Sequence, residues 1–65
     1  MKRLRELRHE RRWSLSHLAK EIGLNKNTLG QYERGERQPD IETIKKLCAF
    51  FKVSADYLLE IDNNL

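Results

Sequence analysis

The sequence has few of the residues that hold very small proteins together through covalent or metal cross-links. Its single cysteine among 65 residues excludes a disulfide within the chain. No Cys-x-x-Cys pair or cysteine and histidine set has the spacing of a structural zinc site. A chain of this size buries only about 60% of the surface that it exposes when unfolded. We therefore expect its stability to depend on well-capped helices, with Cys48 as a small core residue in a reducing cytoplasm.

Long apolar runs and strand patterns are also missing. The longest apolar run, at 47–51, has five residues, whereas a membrane-spanning helix needs roughly 20. No alternating stretch and no Asn-Gly or Asp-Gly pair predicts a β-hairpin. His9 and His17 are eight residues apart, and no serine or cysteine is paired with a base in a pattern typical of a catalytic nucleophile. The sequence therefore predicts an all-α protein that is not an enzyme and has no metal or cofactor.

Apolar residues at helical spacing mark five segments of the chain. The predicted helices cover about 4–12, 15–22, 26–34, 41–51 and 53–61. Before four of them an apolar residue precedes a capping residue, and a second apolar residue follows the cap by four, which is the spacing of a hydrophobic staple. These sets are Trp13–Ser14–Leu18, Leu24–Asn25–Leu29, Pro39–Asp40–Ile44 and Val53–Ser54–Leu58. We expect one domain over residues 1–62 and a short tail at 63–65.

The third predicted helix carries side chains suited to contacting nucleic-acid bases. Asn25 is its predicted N-cap and Gly35 its C-terminal stop. Leu29 and Tyr32, three residues apart, supply its core-facing side. In the major groove, lysine pairs with guanine, and asparagine or glutamine pairs with adenine. The candidate base-reading residues are therefore Lys26, Asn27 and Gln31.

Five segments of the chain resemble the Cro/C1-type helix-turn-helix (XRE) family of transcriptional regulators. They are LRELR at 4–8, LAKEIGL at 18–24, TLGQYERG at 28–35, QPD at 38–40 and VSADYLL at 53–59. The resemblance implies a compact five-helix, lambda-repressor-like domain with its helix-turn-helix at about 14–35. It also implies a bacterial or phage-encoded regulator, with repression expected. Such a regulator would bind double-stranded DNA as a homodimer on a partly palindromic operator, with the third helix in the major groove.

The resemblance assigns roles to residues at matching positions. Those at positions that commonly read bases are again Lys26, Asn27 and Gln31. Those at positions that approach the DNA backbone or neighbouring bases are Asn25, Thr28, Arg34 and Arg37. Arg8 and Glu33 match a partly buried ion pair that links the first helix to the third. Such a pair would hold the recognition helix at a fixed angle.

The chain departs from the family pattern at Leu15, at Lys52 and at His17, which replaces the usual acid of the capping box. Where the family most often has a glutamine that contacts phosphate, this chain has Leu15. Backbone N–H groups at the start of the second helix, with Ser16, would then hold the phosphate, unless Leu15 packs on a thymine methyl or a sugar. Lys52 replaces a common glycine, which predicts a left-handed cap. Gly30 either allows close approach to DNA or occupies a surface position under weak demand.

The charges are unevenly distributed along the chain. Residues 1–12 carry six lysines and arginines against two glutamates, which suits a phosphate-facing surface or a solvated helix with internal pairs. Residues 53–65 carry three acids and no base, so we expect the fifth helix on the far side from DNA. The predicted homodimer surface there consists of Leu58, Leu59 and Ile61, with Leu65. An antitoxin or anti-repressor that binds another protein is the alternative, because Leu15 would leave apolar surface where DNA should lie.

Overall fold

The computed structural model describes residues 1–61, so the predicted tail and Leu65 lie outside the described residues. Every regular element in that range is a helix, which confirms the all-α, five-helix prediction. The helices are α1 (Lys2–Glu10), α2 (Leu15–Ile22), α3 (Lys26–Arg34), α4 (Ile41–Phe51) and α5 (Ala55–Leu58). The last is shorter than predicted, because Glu60 adopts a left-handed backbone with a φ of 57°. None of the helices within 1–61 has the length and apolar character that crossing a membrane requires.

All four predicted N-caps form. In each one, a side-chain oxygen accepts a hydrogen bond from a backbone N–H in the first turn of the helix. The donors are His17 to Ser14, Asn27 and Thr28 to Asn25, Thr43 to Asp40, and Tyr57 to Ser54, at 2.8 to 3.2 Å. The hydrogen bonds from Thr43 also hold the pKa of the Asp40 carboxyl below its ordinary value. These caps satisfy N–H groups that a helix cannot pair internally.

Three helices end on a residue in the left-handed region. Gly23 and Gly35 stop α2 and α3 with φ values of 74° and 75°. Lys52 ends α4 with φ 57° and ψ 47°, which confirms the predicted non-glycine cap. Its N–H donates to the carbonyl of Cys48. A side chain at such a position is strained, because its Cβ lies close to the following carbonyl oxygen.

The core is centred on one fully buried leucine from each helix. These are Leu4, Leu18, Leu29, Leu47 and Leu58. Leu58 was predicted to lie on the dimer surface, and this is wrong. It is 1% exposed because α5 turns this side chain inward, where α5 contacts α1 and α4. Ile41, the first member of the predicted apolar stripe of α4, is 71% exposed, whereas Cys48 packs against the core and its burial raises the pKa of its thiol.

An aromatic cluster joins the link between α1 and α2 to the end of α4. The Trp13 ring stacks on His17 with centroids 4.6 Å apart and lies 6.0 Å from the Phe50 ring. The Arg11 guanidinium lies 4.9 to 5.1 Å from the ring centroids of Trp13, Phe50 and Phe51. Cations at this distance are attracted by the faces of aromatic rings. Trp13 therefore packs within the fold, as the staple spacing indicated.

We predict that Lys52→Gly raises the free energy of unfolding by about 1 kcal/mol, because glycine has no Cβ to strain in the left-handed region. Urea denaturation followed by circular dichroism would measure the change. The control is Lys45→Gly, at an exposed position inside α4, where glycine should lower the free energy of unfolding by about 1 kcal/mol. Destabilisation by both substitutions would contradict the strain at Lys52.

Candidate nucleic-acid interface

Two short helices and a tight turn form the centre of the candidate interface. Gly23, Leu24 and Asn25 connect α2 to α3. The N–H groups of Gly23 and Leu24 both donate to the carbonyl of Ala19, at 2.9 and 3.1 Å. Leu24 is half-buried against the core, and Asn25 caps the next helix. Because both sides of the turn are hydrogen-bonded or packed, the direction in which α3 leaves α2 is well defined.

One side of α3 is buried and the other is exposed. Leu29 and Tyr32 belong to the core. Asn27 is exposed and Gln31, one turn later on the same side, is partly exposed. Lys26 is exposed about 100° round the helix axis from Asn27. The structure thus brings Asn27 and Gln31 together on one outward stripe, with Lys26 beside it at the start of the helix.

A bidentate ion pair fixes α3 to α1. Nε of Arg8 donates to Oε2 of Glu33 at 2.7 Å, and Nη2 donates to Oε1 at 2.9 Å. The two side chains are only 12% and 6% exposed. Nη1 of Arg8 also donates to the carbonyl of Trp13 at 2.9 Å. The hydrogen bond to Glu33 raises the pKa of the Arg8 guanidinium. Through these contacts one arginine connects α1 to α3 and to the link that leads to α2.

Leu15 and Gly30 pack together between α2 and α3. A Cβ placed on Gly30 would lie 3.2 Å from Cδ2 of Leu15 and 3.0 Å from Nη1 of Arg34. Gly30 itself is buried, and Leu15 is half-buried against the core. The expectation that Gly30 occupies a surface position is therefore wrong, because neighbouring side chains cover it. A close approach of DNA to its backbone stays a prediction. Leu15 fills the space that the missing Cβ leaves.

The residues assigned to the DNA backbone differ in what they have available for a phosphate. Ser16 and Arg37 are exposed, and Thr28 is partly exposed. The side-chain oxygen of Asn25 already accepts two hydrogen bonds from α3, which leaves its amide NH₂ to donate. Arg34 is exposed but paired, and that pairing involves a residue that the sequence did not single out.

That residue is Glu36. Nε of Arg34 donates to Oε2 of Glu36 at 2.8 Å, and Nη2 donates to Oε1 at 3.2 Å. This hydrogen bond raises the pKa of Arg34 and lowers that of Glu36. Helical spacing gives no signal for the pair, because residues two apart on a helix do not face each other. They meet only because Gly35 between them adopts a left-handed backbone.

Half of the basic residues in 1–12 make contacts within the chain. Nε of Arg3 lies 3.7 Å from Oε1 of Glu60, and the Arg3 guanidinium is 4.3 Å from the centroid of the Tyr57 ring. Arg8 binds Glu33, and Arg11 lies against the aromatic cluster. The basic character of the N-terminal segment therefore does not amount to a row of six cations available to phosphate.

Comparison with known proteins bears out the architecture. A family model described as helix-turn-helix matches residues 4–58. The chain belongs to the Cro/C1-type helix-turn-helix family. Members of this family are transcriptional regulators that bind double-stranded DNA, and they are not enzymes.

Several relatives of this helix-turn-helix chain are bacterial or phage regulators. The HTH-type transcriptional regulator ImmR of Bacillus subtilis (strain 168) is 39% identical over 61 residues, which is 94% of this chain and 48% of that protein. The HTH-type transcriptional regulator AnsR of the same strain is 40% identical over 57 residues, 88% of this chain and 49% of that protein. The cryptic phage CTXphi transcriptional repressor RstR of Vibrio cholerae is 36% identical over 64 residues, 97% of this chain and 58% of that protein. The chain spans about half the length of these curated relatives.

We predict that Glu33→Gln lowers the free energy of unfolding by about 3 kcal/mol, because it leaves the Arg8 charge buried without its partner. Arg8→Lys should restore little of the stability that Arg8→Ala loses, since an ammonium cannot make the bidentate contact. Urea denaturation would measure both. The control is Glu42→Gln, whose exposed pair with Lys45 spans 3.9 Å and should contribute less than about 1 kcal/mol. An equally small effect of Glu33→Gln would refute the importance of the buried pair.

Proposed function

We propose that this chain is the DNA-binding domain of a transcriptional repressor that binds a partly palindromic operator as a homodimer. In this proposal α3 enters the major groove, with Asn27, Gln31 and Lys26 contacting base edges. The observation that supports it most directly is the outward polar stripe on a helix whose other side is held by the core and by Arg8. A base-reading helix needs this combination, because hydrogen bonds to base edges require fixed donor positions.

The start of α2 supplies the complementary contact to the DNA backbone. The N–H groups of Leu15 and Ser16 lie in the first turn, where a helix has no internal acceptors for them. The cap oxygen of Ser14 takes only the N–H of His17. A phosphate at this helix end would accept the remaining hydrogen bonds and meet the positive end of the helix dipole. Arg37 and Thr28 would contact phosphates from the side of α3.

The relatives support the regulatory role. ImmR and AnsR are named as transcriptional regulators, and RstR is named as a transcriptional repressor. Their similarity extends over 88% to 97% of this chain and so includes both α2 and α3. We take repression from RstR as part of the proposal.

The alternative of a protein-binding module depended on Leu15 as exposed apolar surface beside the recognition helix. In the structure Leu15 is half-buried against the core. Its Cδ2 lies 3.2 Å from the position that a Cβ on Gly30 would take. Most of its side chain is therefore engaged within the fold, which removes the observation that favoured a protein partner at this position. DNA binding is the better explanation of the surface.

The deciding experiment is selection of binding sites from random double-stranded DNA at a stated salt concentration. The proposal expects two half-sites in opposite orientation, with centres about 34 Å, or one turn of DNA, apart. The control is the same selection carried out with the Asn27→Ala variant. Enrichment of no sequence, or of one that the control selects equally, would overturn the assignment of α3 as the reading helix.

We predict that Asn27→Ala and Gln31→Ala each weaken binding to the selected operator by roughly 1–3 kcal/mol. Binding to random duplexes should hardly change, because these side chains would contact bases rather than phosphates. Fluorescence anisotropy on both DNAs would measure the difference. Lys45→Ala, at an exposed position on α4, is the control and should affect neither. Equal losses on both DNAs would contradict base reading.

The proposed dimer surface is revised to the exposed side of α5 together with residues 59–61. Ile61 is 51% exposed and Tyr57 is 40% exposed, while Leu59 is partly buried. Arg3 and Glu60 flank these side chains with opposite charges. Apolar area bordered by charged side chains is the usual arrangement of a protein interface. This surface can therefore bring two copies together without Leu58.

We predict that the chain sediments as a dimer at high micromolar concentration and that Ile61→Asp shifts it toward the monomer. The introduced charge would have to be desolvated in the interface. Analytical ultracentrifugation over a concentration series would measure the shift. Ile41→Asp, at an isoleucine that is 71% exposed on α4, is the matched control. A monomer at every concentration, or equal effects of both substitutions, would contradict this surface.

A further inference from the structure

The Arg34 guanidinium is occupied within the chain although it lies on the exposed side of α3. Its Nε and Nη2 make two parallel hydrogen bonds to the Glu36 carboxylate, at 2.8 and 3.2 Å. Arginine binds phosphate through the same bidentate geometry. A DNA phosphate that binds Arg34 through this edge therefore has to displace Glu36, and the remaining nitrogen, Nη1, lies beside Gly30.

Gly30 provides the space in which the guanidinium lies. Nη1 of Arg34 would be only 3.0 Å from a Cβ at this position, and Cδ2 of Leu15 would be 3.2 Å from it. Glycine is unfavourable inside a helix compared with alanine. Its presence one turn before Arg34 lets the guanidinium fold back against the helix backbone beside Leu15.

The backbone holds Glu36 where it can make this pair. The N–H of Glu36 donates to the carbonyl of Gln31 at 2.9 Å. Gly35, with a φ of 75°, turns the chain between the two charged residues. The hydrogen-bonded turn that ends α3 thus presents the carboxylate to Arg34.

We propose that Glu36 is an internal competitor for Arg34, holding its guanidinium across Gly30 so that a DNA phosphate must displace the carboxylate to bind. This inference rests on the proposed DNA-binding function and adds a determinant of its strength and salt dependence. Because phosphates carry no sequence information, the competition weakens binding to every duplex alike. The pair is more than half exposed on both sides, so the displacement is modest and reversible.

The test compares Glu36→Gln in the wild-type chain and in the Arg34→Gln background. Affinity for a random-sequence duplex is measured by fluorescence anisotropy between 50 and 200 mM salt, a range over which phosphate contacts change affinity steeply. In the wild-type background we expect Glu36→Gln to strengthen binding about two- to fivefold. The slope of log affinity against log salt should steepen by up to about 0.9, as expected for one more phosphate contact.

In the Arg34→Gln background, Glu36→Gln should produce a clearly smaller gain and leave the salt slope unchanged. Glu42→Gln is the matched control, because it removes the same charge from an exposed acid that is also paired with a base, Lys45, on α4, which the proposal places at neither the DNA nor the dimer surface. It should change neither affinity nor slope. Gains of equal size in both backgrounds would show a general charge effect and overturn the competition.

Three further outcomes separate this inference from the proposed function. If the wild-type chain binds duplex DNA and Glu36→Gln changes neither affinity nor slope, the competition is wrong and the proposed function stands. If the gain occurs only on the selected operator, Arg34 contacts a base, and the phosphate competition is overturned. If the wild-type chain binds no duplex, the proposed function fails, and the inference fails with it. The ¹⁵N resonance of the Arg34 Nε–H would still report the pair with Glu36 in that case.

Discussion

The orientation of α3 depends on the largely buried pair between Arg8 and Glu33. A bidentate contact of 2.7 and 2.9 Å, largely removed from solvent, permits one relative position of α1 and α3. Either charge without the other would be costly at that depth, so the chain cannot rotate α3 without losing the pair. The nitrogen of Met1 adds a second tie, because it donates to the Tyr32 carbonyl at 2.6 Å. The start of α1 therefore contacts α3 through Met1, and the end of α1 contacts it through Arg8.

Local rules determine most of the remaining architecture. Each of the four N-capped helices starts where a side-chain oxygen replaces a missing internal acceptor, and three helices stop where the backbone turns left-handed. With helix ends fixed in this way, links of three or four residues between the first three helices leave little freedom in how they cross. One leucine from each helix then meets in the centre. A chain of this size has few apolar contacts to lose, so these short links matter for its stability.

The sequence predicted the features that depend on neighbours along the chain and missed those that depend on space between helices. Caps and helix bounds follow from residues within five positions of each other. The N-caps were predicted for α2, α3, α4 and α5, and the bounds for α2, α3 and α4. Leu58 was assigned to the dimer surface because the sequence of so short a helix does not show which side faces inward. The contact of Leu15 with Gly30 depends on a missing Cβ between two helices. The pair of Arg34 with Glu36 exists only because Gly35 bends the backbone between them.

Contacts within the chain reduce the number of positive charges that are available to phosphate. The formal net charge of +3 suggests a general attraction to phosphate. Arg3, Arg8 and Arg11 nevertheless contact groups within the chain, and Arg34 shares its guanidinium with Glu36. In the proposed complex, attraction to the DNA backbone would then rest more on helix N-termini and on residues such as Arg37 than on the number of cations. Under the proposed function, fewer available cations reduce the sequence-independent part of binding. The contacts of Asn27 and Gln31 with bases would therefore carry a larger share of the affinity.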